Sequence, residues 1–67
     1  DITVANAWRG QGIGKFALKS MQDEAARQGK RIELQVAAGS VAKRLYLRLG
    51  FKKVSGDHLM EQMVWNL

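Results

Sequence analysis

Apolar residues follow two rhythms along this chain, and each switch of rhythm marks an element. Ile2 to Val4 is short and β-branched, as at the end of a strand. A polar, glycine-rich stretch follows, Asn6 to Gly12. From about Ile13 the spacing becomes helical: Ile13, Ala17, Met21 and Ala25 recur four apart with Leu18 beside them, and Gly29 is placed to end the helix. Lys19, Asp23 and Arg27 fall on its polar face, spaced for i,i+4 charge pairing. Arg31 to Val36 alternates, so Ile32, Leu34 and Val36 share one side of a strand. Gly39-Ser40 breaks the chain, and Ser40 suits an N-cap. Val41, Ala42, Leu45, Tyr46 and Leu49 then predict a second helix, closed by Gly50. Phe51–Val54 and Leu59–Leu67 read as two strands joined by a hairpin turn at Gly56-Asp57.

The predicted order is therefore β-α-β-α-β-β, an α/β fold. A strand–helix–strand unit of this length implies a right-handed crossover between parallel strands, and the final hairpin adds antiparallel ones, so the sheet is mixed. Its first strand is expected at an exposed edge, which invites pairing with further strands or another chain. The chain starts at Asp1 inside a strand, and the expectation is that a longer reading frame precedes it.

With 67 residues there is room for one small domain. The absence of cysteine excludes disulfides and thiolate metal sites, and the lone His58 cannot build a metal site by itself. A hydrophobic content of 46% is that of a globular chain, and no apolar run approaches a membrane span. The net charge of +5 fits a solvated basic surface, a polyphosphate ligand or nucleic acid. Nucleic acid is the weakest of these, because aromatic residues are not interleaved with the basic ones as a stacking platform requires.

The segment that carries chemistry is Arg9-Gly10-Gln11-Gly12-Ile13-Gly14-Lys15. It follows a strand and opens a helix. Glycines there let the backbone approach a ligand closely. The free N–H groups of a first helical turn, and the positive end of the helix dipole, suit a phosphate or diphosphate. The bland alternative is a tight strand-to-helix connection with no ligand. The spacing is neither a P-loop, which needs Gly-Lys-Ser/Thr, nor a Rossmann fingerprint, whose third glycine would come one residue later.

Arg9-x-x-Gly12-x-Gly14 resembles the Arg/Gln-x-x-Gly-x-Gly/Ala acetyl-CoA signature of the GNAT superfamily of N-acetyltransferases, and Val4 to Gly10 looks like the strand end and loop before it. Ala42-x-x-Leu45-Tyr46-x-x-x-Gly50-Phe51 resembles the family's second block, Asn-x-x-Ala-x-x-Leu-Tyr-x-x-x-Gly-Phe, with Gly39 standing where that Asn is expected. The two blocks in order and spacing are more specific than either alone, and the resemblance runs from about Ile2 to the C-terminus.

The resemblance implies a cytoplasmic, acetyl-CoA-dependent transferase, of which residues 1–67 are the C-terminal, cofactor-binding half. It assigns the diphosphate to backbone N–H groups of Gln11, Gly12, Ile13, Gly14 and Lys15, with Arg9 adding charge. It assigns to the Val4 backbone a bond to the pantetheine arm or the thioester carbonyl. Tyr46 corresponds to the tyrosine that protonates the departing thiolate; beside Leu45, Ala42 and Leu49 it reads equally as a packing residue. Asp1 and His58 are weak candidates for the base, His58 reading better as an exposed turn residue. Lys43, Arg44, Arg48, Lys52 and Lys53 form a basic cluster that reads as a solvated face before it reads as a phosphate or acidic-partner site. The acceptor would be a small-molecule or protein amine. Partners expected are a missing N-terminal half or a second copy, and neither nucleic acid nor membrane. The competing expectation is a non-catalytic CoA-binding or oligomerising module with an incomplete active site.

Overall fold

The computed structural model describes residues 2–4 and 15–67. Its elements are β1 (Ile2–Val4), α1 (Lys15–Gln28), β2 (Ile32–Ala37), α2 (Ala42–Arg48), β3 (Lys52–Gly56) and β4 (Met60–Trp65), in the predicted order. The strands form one mixed sheet ordered β1-β2-β4-β3. β1 runs parallel to β2, and β4 runs antiparallel to β2 and β3. Among the described residues β1 and β3 are the two edges. The β3 edge is guarded by Lys52, Lys53 and a register shift at Val54, devices that discourage further pairing. β1 carries only Ile-Thr-Val.

Alternation along β2 puts Ile32, Leu34 and Val36 on one buried face, and both helices lie against it. Antiparallel pairing sets Met63 opposite Leu34 and Trp65 opposite Ile32, so these extend the same apolar surface. Leu18, Ala25, Tyr46 and Phe51 complete the buried core. The other sheet face carries Gln35 in solvent and a bond from Gln62 Nε2 to Glu33 Oε1 at 3.0 Å.

Helix α1 differs from expectation in its phase. Its buried stripe is Leu18, Gln22 and Ala25, whereas Ala17 is exposed and Met21 only half-buried. The helix is turned by about one residue, which brings a polar side chain into the interior. Arg27 pairs with Glu24, one turn back, rather than with Asp23. The N-cap position of α2 falls on Val41, one residue later than expected and without a side-chain cap, while Ser40 Oγ accepts the Ala42 N–H at 3.1 Å in the turn before it. The hairpin turn lies one residue later than expected. Asp57 Oδ1 accepts the N–H groups of Leu59 (2.8 Å) and Met60 (2.9 Å), and β3 extends through Gly56.

Both helices end in the same backbone device. At α1, Lys30 N–H bonds to Ala25 C=O and Gly29 N–H to Ala26 C=O. At α2, Phe51 N–H bonds to Tyr46 C=O and Gly50 N–H to Leu47 C=O. These are Schellman closures, which need a residue of positive φ, supplied by Gly29 (φ 65°) and Gly50 (φ 97°). The second is also packed: the Tyr46 and Phe51 rings, at the two positions that such a closure brings together, lie 5.8 Å apart.

A side chain at Gly29 would meet open space, whereas one at Gly50 would stand 3.2 Å from Trp65 Cδ1. Gly29→Ala should therefore cost about 1 kcal/mol, the strain of a left-handed alanine. Gly50→Ala should cost clearly more, because the same strain is joined by displacement of Trp65. Urea midpoints compare the two, and equal midpoints would contradict this assignment.

Candidate functional site

In a crossover unit, ligands gather outside the carboxyl ends of the parallel strands, where the helices begin. Here that end holds the close of β1 at Val4, the start of α1 at Lys15 and the turn after β2. The hairpin loop joins them through Ala38 N–H, which donates to Leu59 C=O at 3.0 Å. The segment of chemical interest, residues 5–14, spans the gap between β1 and α1. Arg9, Gln11, Gly12, Ile13 and Gly14 lie outside the described residues, as does Asp1.

Three features of the described residues bear on an anion at this end. Lys15 opens α1 and is exposed. The first turn of α1 holds no acidic side chain that would occupy its N–H groups or neutralise the dipole. β1 pairs with β2 only as far as Leu34, so Gln35, Val36 and Ala37 of β2 run on beyond the described part of β1. Gly39, where the second motif would have Asn, sits at φ 86° in a turn closed by Ser40 N–H to Ala37 C=O at 2.9 Å. Asn is the side chain that best tolerates such a backbone after glycine.

Tyr46 lies in the last turn of α2 and is 1% exposed, packed on Phe51 within the core. Burial pushes its phenol pKa up, which makes the hydroxyl a weaker acid than an exposed tyrosine. Val4 closes β1 opposite Leu34. His58 is exposed in the loop between β3 and β4.

The basic cluster divides. Glu61, on β4, is 8% exposed and faces the helices. Lys43 Nζ stands 2.7 Å from its Oε1 and Lys53 Nζ 3.7 Å from its Oε2. Oε1 is shut off from solvent and lacks a well-aligned hydrogen bond, so the contact with Lys43 is an ion pair. These lysines clamp α2 and β3 to β4. Arg44, Arg48 and Lys52 are exposed. Glu61 carries no apolar signal in the sequence, although its alternation with Met63 and Trp65 assigns it to the covered face.

A cleft of about 420 Å³ lies at the opposite end of α1, lined by Ala25, Gly29, Lys30, Arg31, Asn66 and Leu67. It stands at a helix C-terminus, whose partial charge is negative, beside the cations Lys30 and Arg31. Among the described residues, no helix is long and apolar enough to cross a membrane.

The described residues form an α/β fold, a four-stranded mixed sheet with two helices. A family model described as "Acetyltransferase (GNAT) domain" matches residues 1–65, and the chain belongs to that family. No curated protein and no solved structure matches it. The family's chemistry is acetyl transfer from acetyl-CoA.

The Lys43 ammonium holds the Glu61 carboxyl below the usual carboxylate range, Lys53 adding to it and partial burial opposing. A lowered pKa means stability that is present above the ordinary value, about 4.3, and is lost as pH falls through the folded value. Lys43→Met should lower the urea midpoint at pH 7, with the two curves converging in acid once Glu61 is protonated. Parallel curves across that range would contradict the ion pair.

Proposed function

We propose that this chain binds acetyl-CoA through the backbone of Gln11, Gly12, Ile13, Gly14 and Lys15 and supplies the donor side of an N-acetyltransferase. The observation that carries the reading is where α1 begins. It opens at the carboxyl end of the parallel pair, on a lysine and without an acidic first turn, immediately after the acetyl-CoA signature. N–H groups at such a terminus, reinforced by the dipole and by Arg9 and Lys15, suit a diphosphate.

The bound cosubstrate would supply the thioester. The Val4 backbone, at the end of β1, would bond the pantetheine arm or orient the thioester carbonyl, which gains negative charge when the amine attacks. The acceptor amine must be neutral to attack, and its proton passes to a base or to water. A C–N bond forms, the C–S bond breaks, and the thiolate takes a proton from Tyr46. A phenol is protonated at neutral pH, and the burial that raises the Tyr46 pKa makes transfer to the thiolate harder until the ligand is bound beside it. Tyr46 also packs the core, so its substitution tests both roles at once. The acceptor is a small-molecule or protein amine and the setting cytoplasmic. The β1 edge is open for the N-terminal half of the domain or for a second copy.

Titration calorimetry with acetyl-CoA tests the reading. The native chain should give saturable heat that free CoA competes away. Gly12→Val should weaken binding by at least tenfold, about 1.4 kcal/mol, because a branched side chain blocks backbone approach. Circular dichroism should show the variant folded. Equal heats from folded native and variant chains would contradict the proposal.

A further inference from the structure

Gln22 is the polar residue in the buried stripe of α1, flanked by Leu18 one turn before it and Ala25 one turn after. It is 7% exposed, and its Nε2 donates to the Leu49 carbonyl at 2.8 Å, across 27 residues of sequence. Leu49 is the C-cap residue of α2, so its carbonyl is one of the groups a helix end leaves without an intrahelical partner. The Tyr46 and Leu47 carbonyls of the same turn are taken by Phe51 and Gly50. The side chain from α1 thus joins the network that fixes the last turn of α2.

An apolar residue would fill this place more simply, since a buried amide must be paired to be tolerated. A directed bond does what apolar packing cannot: it sets one register between two helices. Those helices are the one that begins at the anion cradle and the one that carries Tyr46 in its last turn. We infer that Gln22 is a positioning residue, holding the end of α2 against α1 so that Tyr46 is placed relative to acetyl-CoA bound at the start of α1. The inference rests on the function proposed above.

Tyr46 is the one tyrosine in the chain, so a carbon-13 label in tyrosine reports on it alone. In the native chain acetyl-CoA should give calorimetric heat and shift the Tyr46 signal. Gln22→Met keeps the length and volume and removes the donor. It should bind acetyl-CoA within about threefold of native, a difference under about 0.7 kcal/mol. Its Tyr46 signal should move in the free protein, and the response to acetyl-CoA should fall by at least half. The Tyr46 titration midpoint should also drop toward the ordinary tyrosine value.

Should Gln22→Met fail to fold, the native chain decides the matter. Exchange of the Gln22 side-chain amide protons should slow severalfold on acetyl-CoA saturation, in step with the Tyr46 shift. A Tyr46 response unchanged in a folded Gln22→Met, or unchanged Gln22 exchange while Tyr46 moves, overturns the inference and leaves cofactor binding intact. Absence of acetyl-CoA heat in the native chain overturns the function itself, and the inference with it.

Discussion

The closure of α2, from Tyr46 to Phe51, is where the fold is held together. In six residues it gathers three backbone hydrogen bonds, an aromatic contact and the carbonyl that receives Gln22 from α1. Trp65 of β4 lies against Gly50 at the same point. Among the described residues, Tyr46 and Phe51 are the largest fully buried side chains. A chain of 67 residues has a stability of roughly 3–10 kcal/mol at typical values per residue. Truncating one buried Phe costs about 3–5 kcal/mol. This turn therefore accounts for much of the margin by which the chain folds. The Leu-Tyr-x-x-x-Gly-Phe pattern has a structural meaning before any catalytic one: Gly supplies the positive φ, and the two rings close over it.

The second constraint is directional. A parallel β1–β2 pair forces α1 to begin at the carboxyl end of the strands and to return to the opposite end. The positive helix terminus is thereby set beside the strand ends, and the 420 Å³ cleft falls at the negative terminus. The lysines of the basic cluster share this division of labour, since Lys43 and Lys53 are committed to Glu61.

Element order and sheet type were legible because period-two and helical spacing alternate cleanly from Ile2 to Leu67, and because Gly29 and Gly50 each stand where a helix must stop. The phase of α1 was not. Reading only apolar positions favoured Met21 over Gln22, since Gln carries no hydrophobic signal. Its place in the core depends on Leu49, 27 residues away, which no local pattern encodes. Glu61 was hidden for the same reason, its partners Lys43 and Lys53 coming from two other elements. The Arg9 to Gly14 signature was legible as chemistry from its residue types, and it lies outside the described residues.

The central claim is that a diphosphate sits at the start of α1. Amide chemical-shift mapping during titration with CoA tests it most directly, because every backbone N–H of the proposed cradle is its own reporter. The account predicts the largest shifts at Gln11 to Lys15, with smaller ones near Val4 and along α2. Shifts confined to Gly29–Arg31 and Asn66–Leu67, at the far end of α1, would contradict it.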